Sequence, residues 1–185
     1  MIYFTSDFHL SHANIITYCN RPFNNIIEMD QTIMRNFFER VKKRDQVYFL
    51  GDLSFNKDAV SIFFKTVREN EIAFHFIPGN HDKRILDIAK KYAIMESPLV
   101  KISLSGQEII LCHYAMRVWH KSHFNSWQLY GHSHGTLPGV GKQMDVGVDA
   151  HNFYPISFYE IKDYMDKQPD NFNYVKTRTQ SKEIL

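Results

Sequence analysis

The chain has 185 residues, 44% of them hydrophobic, and a formal net charge of +2, so one domain can bury a core without staples. A pI near 8.4 is too mild for the strong basic footprint of a dedicated nucleic-acid binder. Cys19 and Cys112 cannot build a disulfide framework, no stretch approaches the roughly 18 apolar residues of a membrane span, and the N-terminus does not read as an export signal, so a reducing cytoplasmic setting is expected. The compositional oddity is ten histidines, several of them in short clusters with acidic or glycine neighbours.

From the N-terminus, Ile2-Tyr3-Phe4-Thr5-Ser6 is a β-prone start that runs into Asp7-Phe8-His9. Residues two apart on an extended segment point the same way, so Asp7 and His9 can converge on one divalent cation. His12 and Asn14 follow at once and can line the same mouth. Arg21-Pro22-Phe23 breaks the chain, and Asn25 with Glu28 three residues later resembles a helix capping box. The helix it opens is expected to reach about Lys43, with Ile33, Phe37 and Val41 on one apolar stripe.

Val47-Tyr48-Phe49-Leu50 is β-branched and aromatic and too short for a stable helix, which predicts a strand covered on both faces. It delivers Gly51-Asp52 at its carboxyl end, where open α/β sheets place their sites. Asp58 to about Asn70 predicts a second helix, and Ile72 to Ile77 a further strand ending in Pro78-Gly79-Asn80-His81-Asp82. His75, inside that strand, reads as a core or edge histidine. Asn80, His81 and Asp82 emerge at its end: an amide oxygen can complete a cation's shell, and a His beside an Asp can be a proton donor oriented by a carboxylate.

Lys83 to Tyr92 predicts a third helix. Val100 to Ser103 and Glu108 to Cys112 predict a hairpin closed at Ser105-Gly106 and leading to His113. Met116 to Trp127 reads as an irregular loop over the site. Gln128-Leu129-Tyr130 then runs into Gly131-His132-Ser133-His134-Gly135, two histidines two apart at a strand end. Met144 to Asp149 and Ile156 to Ile161 read as two more strands. The domain is expected to span residues 1–165, with 166–185 a peripheral tail of one short helix and a loosely held end.

Five strand ends in succession thus carry Asp-x-His, Gly-Asp, Gly-Asn-His-Asp, His and Gly-His-x-His, an order that independent turns would not produce. In that order the motifs resemble the calcineurin-like metallophosphoesterase superfamily over residues 2 to about 161. Ser11-His12-Ala13-Asn14-Ile15-Ile16, Arg21-Pro22-Phe23 and Val146-Gly147-Val148-Asp149 are similar to its small phage and bacterial members. The resemblance implies an α/β fold, a four-layer α/β/β/α sandwich, with two divalent metal ions at the strand ends. It implies that Asp7, His9, Asp52 and His134 hold one ion and Asp52, Asn80, His113 and His132 the other, with Asp52 shared. It also implies that His81 contacts the phosphate or protonates the leaving oxygen while Asp82 orients it.

Carboxylate, amide and imidazole donors suit Mn, Fe, Ni, Mg or Zn, and two such ions roughly 3.5–4 Å apart can share a hydroxide that attacks phosphorus in line. The chain departs from the Ser/Thr protein phosphatases, since Gly51-Asp52-Leu53-Ser54-Phe55 lacks their Asp-Arg-Gly stretch and Asp82 stands where they have Glu. A phosphodiesterase acting on a small or accessible phosphate ester is therefore expected, with a phosphomonoesterase as the alternative and Arg21, Arg84 and Arg117 as candidate phosphate grips. A nuclease on single-stranded nucleic acid would need Trp119 and Trp127 to stack on bases, and the mild charge disfavours it. A non-enzymatic scaffold is disfavoured because no ligand position is missing. No membrane partner is expected, and the sequence leaves the oligomeric state open.

Overall fold

The computed structural model describes residues 1–176. In chain order its elements are β1 (Ile2–Thr5), α1 (Asn14–Tyr18), α2 (Ile26–Arg40), β2 (Gln46–Phe49), α3 (Lys57–Glu69), β3 (Ala73–Phe76), α4 (Leu86–Tyr92), β4 (Ile94–Met95), β5 (Leu99–Leu104), β6 (Gln107–Cys112), β7 (Trp127–Tyr130), β8 (Gln143–Asp145), β9 (Ile156–Ser157) and α5 (Phe158–Lys167). Two sheets form, in the orders β4-β3-β2-β1-β9 and β5-β6-β7-β8. In the first, β1 to β4 are parallel and β9 runs antiparallel to β1. In the second, only the β5–β6 hairpin is antiparallel.

The central position of β2 follows from its composition. Val47 and Phe49 enter a core with Met29, Ile33, Phe37, Phe63 and Phe64 from α2 and α3. Tyr48 and the following Leu50 enter a second core with Ile109, Leu111, Leu129 and Val146 of the other sheet. A strand apolar on every residue is stable only where both faces are covered, as between stacked layers. Helices flank the paired sheets, α5 closing the inter-sheet core with Phe158, Ile161 and Met165, which gives the expected α/β/β/α sandwich. His75 sits in this framework as a structural residue: its Nδ1 lies 2.7 Å from Glu96 and its ring stacks on Tyr48 at 4.5 Å.

Several expected boundaries shift for local reasons. The Asn25 side chain does accept the Glu28 N–H, but Glu28 reaches back to the Asn24 N–H, so only half a capping box forms. That helix stops at Arg40 because Val41 turns extended and buries its side chain. The stretch from Lys83 divides into a 3₁₀ turn at Asp82–Arg84 and α4. The expected strand from Met144 to Asp149 ends at Asp145 and gives way to a 3₁₀ turn at Val148–Ala150. The largest correction is at Ile156 to Ile161, which is a strand for only two residues. Ser157 and Glu160 form a complete capping box there and start α5, satisfying orphan N–H groups that a strand would leave to the edge of the sheet.

The expected boundary at 165 falls inside α5. Residues 168–176 pack back on the second sheet's loops through Asn171, which is buried and donates to the Ser122 and Ser126 carbonyls while accepting from the Lys142 N–H. The remainder of the expected tail, from Thr177, lies outside the described residues.

Candidate metal centre

The loops that leave β1, β2, β3, β6 and β7 meet above one end of the paired sheets. They are laced together by backbone hydrogen bonds: Asp7 N–H to the Gly51 carbonyl at 2.9 Å, His9 N–H to the Asp52 carbonyl at 3.0 Å, and Gly131 N–H to the His113 carbonyl at 3.0 Å. The convergence of Asp7 with His9 does not come from strand alternation. Asp7, His9, Asp52, His132 and His134 all have positive φ, between 48° and 67°, a conformation that costs non-glycine residues of order 1–3 kcal/mol each and gathers at functional sites. Glycines let the loops approach: a Cβ added at Gly79 would fall on Asp52 Oδ1, and one at Gly131 on Ser6 Oγ and Asp7 Oδ2.

Two clusters result. Asp7, His9 and His134 offer ligand atoms within 4.8 Å of one another, and so do Asp52, His113 and His132. The two histidines of the Gly-His-x-His motif therefore serve different clusters. Asp52 Oδ2 lies between them, 3.6 Å from His9 Nε2 and 3.3 Å from His113 Nε2. Asn80 Oδ1 is 2.9 Å from His113 Nε2, which brings it to the second cluster. Several polar groups around these atoms are paired. Asp7 Oδ2 accepts from Ser6 Oγ at 2.5 Å and the His132 N–H at 2.9 Å, Asp52 Oδ1 from the His81 N–H at 2.9 Å, while His113 Nδ1 meets the Leu50 carbonyl at 2.6 Å and His134 Nδ1 the Asp149 carboxylate at 2.8 Å. With Nδ1 engaged, Nε2 of each ring is the nitrogen left to meet a cation.

Asp7 Oδ1 and His9 Nε2 are buried without any hydrogen-bond partner among the described residues. Bare buried polar atoms each cost about 1–3 kcal/mol, and a divalent cation satisfies both at once, so the donor set fits the metal ions that the sequence implies. The charges agree. Burial pushes the Asp7 carboxyl up to about 7 and pulls His9 down to about 3, leaving a neutral imidazole. At Asp52 burial is outweighed by His113 and the His81 N–H, which hold the carboxylate below its ordinary range. Burial also pulls on His113, and the Asp52 and Asp7 carboxylates overcome it and push it up to about 8. His9 is therefore neutral and Asp52 ionised, the forms that ligation needs, while Asp7 and His113 would each give up a proton to a bound cation.

Other expected site residues separate into those at the mouth and those with different work. His81 is exposed, its ring 5.5 Å from that of His9 and 5.0 Å from that of Phe55. His12 is half-buried, its ring 5.5 Å from His9 and 4.7 Å from Phe55, and Asn14 is exposed at the start of α1. Asp82 does not orient the His81 imidazole. It is fully buried, and its oxygens accept the backbone N–H groups of Asp52 (2.8 Å), Gly79 (2.7 Å) and Leu53 (3.0 Å), stapling the loop after β2 to the loop after β3.

Arg21 is not a phosphate grip either: it is buried with its guanidinium engaged by Asp149 and by the Asp7 and Phe8 carbonyls. Arg84 and Arg117 are exposed, and Arg117 lies over the Phe172 ring at 5.1 Å. Trp119 and Trp127 are 7% and 5% exposed, so neither presents a face to a base. The residues missed in the sequence are Ser6 and Asp149, which hold Asp7 and His134 from behind; Asp149 lies in a stretch read as a strand and only the 3₁₀ turn carries it to His134.

An uncharacterized protein of Methanocaldococcus jannaschii is 33% identical over 173 residues, 90% of this chain and 92% of its own length. The structure of a protein of unknown function from Aquifex aeolicus superimposes with a TM-score of 0.71 at 23% identity, covering 89% of this chain and 98% of that one, and so shares the fold. An archaeal phosphodiesterase of known structure reaches only 0.39 at 17% identity over 79% of this chain and 81% of its own, and nothing about substrate carries over at that distance. The calcineurin-like phosphoesterase superfamily domain matches residues 1–146, most of the chain, and the protein therefore belongs to the calcineurin-like phosphoesterase superfamily.

Proposed function

We propose that the protein is a dinuclear-metal phosphodiesterase acting on a small or accessible phosphate ester. The observation that carries this reading is the pair of buried, unpartnered ligand atoms, Asp7 Oδ1 and His9 Nε2, beside a second cluster that shares Asp52. In this reading Asp7, His9, Asp52 and His134 hold one divalent cation, and Asp52, Asn80, His113 and His132 the other. Hard oxygens mixed with imidazoles suit Mn, Fe, Ni, Mg or Zn. Bound cations would supply Lewis acidity, neutralising phosphate oxygens and lowering the pKa of a water. Asp52 remains ionised and His9 neutral in their surroundings, the protonation states that ligation requires. The His81 ring, exposed beside His9, would give the leaving oxygen its proton.

The diester preference rests on Arg21, the candidate grip that lies against the first cluster. Arg21 is engaged by Asp149 and two carbonyls, so it offers no bidentate grip to the extra charge of a monoester dianion. The buried tryptophans remove the stacking surface that a single-strand nuclease would use. No helix among the described residues is long and apolar enough to cross a membrane, and two free thiols, Cys19 and Cys112, favour the cytoplasm as the working compartment. The test is to strip the protein with a chelator, reload it with Mn²⁺ or Ni²⁺, and compare bis-nitrophenyl phosphate, nitrophenyl phosphate, cyclic nucleotides and oligonucleotides. The diester should be hydrolysed fastest and only after reloading; faster monoester or oligonucleotide cleavage, or turnover unaffected by the chelator, refutes the reading.

A further inference from the structure

Behind His134 lies a buried ion pair that joins residues 128 positions apart. Arg21 Nε donates to Asp149 Oδ1 and Nη2 to Asp149 Oδ2, both at 2.8 Å, and the same Oδ2 accepts from His134 Nδ1 at 2.8 Å. The Arg21 side chain is 0% exposed and that of Asp149 7%. The guanidinium's other hydrogen bonds run to the carbonyls of Asp7 (2.7 Å) and Phe8 (2.9 Å) and to Met29 Sδ (3.4 Å). One planar fork therefore touches both halves of the first cluster: the backbone that carries Asp7 and His9, and the carboxylate that holds His134.

We infer that Arg21 and Asp149 are positioning residues that set the direction and tautomer of the His134 imidazole and fix it in register with Asp7 and His9. A neutral imidazole that donates Nδ1–H to a carboxylate has its lone pair on Nε2, and a carboxylate clamped by a bidentate guanidinium cannot swing away with the ring. The second cluster has no such brace, since His113 Nδ1 meets only the Leu50 carbonyl and His132 is exposed. The brace consequently acts on one subsite and not the other. This rests on reading the clusters as metal sites, and the experiment separates the two.

In metal-free wild-type protein at alkaline pH, where the ring carries one proton, ¹⁵N chemical shifts of the histidine rings should show His134 in the Nδ1–H form; an Nε2–H form overturns the brace whether or not metal ever binds. Calorimetric titration with Mn²⁺ should then resolve two binding events. A wild type that binds no Mn²⁺ refutes the metal reading alone. In Asp149→Ala one event should weaken by about 10- to 100-fold, the loss typical of a ligand's outer partner, while the other stays as in wild type. Arg21→Lys keeps the charge but loses the fork, and should weaken the same event by less. Folded Asp149→Ala with two wild-type affinities overturns the inference; if that variant does not fold, wild-type affinities in Arg21→Lys do so instead.

Discussion

Replacing Asp82 by asparagine separates two roles that a carboxylate next to His81 can have. The structure engages both Asp82 oxygens with three backbone N–H groups, those of Asp52, Gly79 and Leu53. Asparagine offers one acceptor oxygen, so whichever way its amide turns, at least one buried N–H faces an NH₂ group. A hydrogen bond to a charged acceptor is worth roughly 1.5–3 kcal/mol and a bare buried donor costs roughly 1–3 kcal/mol, which places Asp82→Asn at about 3 kcal/mol of lost stability. At roughly 2–4 °C per kcal/mol for a chain of this length, Tm should fall by ~6–12 °C. Because the lost bonds flank Asp52 and Asn80, Mn²⁺ affinity should fall with it, and turnover of esters with good and poor leaving groups should fall in equal proportion. The assay is a thermal melt paired with nitrophenyl and alkyl ester kinetics. An unchanged Tm with losses confined to poor leaving groups would mean that Asp82 orients His81 after all, and the stapling argument would be wrong.

Two further predictions concern protons. His81→Ala should slow esters with poor leaving groups by about 10²- to 10⁴-fold while nitrophenyl esters lose far less; equal losses on both would remove the acid role. In the metal-free protein, His113 titrates near 8 when folded and near 6.5 when unfolded, so the stability it contributes is complete below pH 6.5 and is lost as pH rises to about 8, at about 2 kcal/mol in all. Asp7, raised to about 7, and His9, lowered to about 3, oppose each other below that window, the first destabilising and the second stabilising as pH rises. Cations compete with these protons, so the stability gained on loading should grow with pH. Melts from pH 6 to 8.5 with chelator and with Mn²⁺ should therefore diverge, and parallel curves would refute the assignment.

Much of this protein is written locally. The apolar run of β2 announces a strand buried on both faces, the stripes of α2 and α3 their packing side, and Ser105-Gly106 a hairpin turn that forms with both residues at positive φ. These features depend on side chains a few positions apart, which sequence periodicity reports directly. The misreadings also have local causes. Ile156 to Ile161 is as apolar as a strand, and its Ser-x-x-Glu signal lies inside the apolar run instead of ahead of it.

The sequence by itself determined which residue types gather at the site and which strand ends carry them, because each motif is a few contiguous residues at the end of an apolar run. The tertiary structure decided the rest: that His132 and His134 part to different clusters, that left-handed backbone and not strand alternation turns Asp7 and His9 together, that Asp82 accepts from the N–H groups of two loops, and that Arg21 is buried against Asp149 instead of open to a phosphate. Each of these is a relation between residues tens of positions apart, such as Arg21 and Asp149 or Asp82 and Asp52. In an extended chain such residues have no common neighbourhood, and only the stacking of two sheets brings their loops within hydrogen-bond reach.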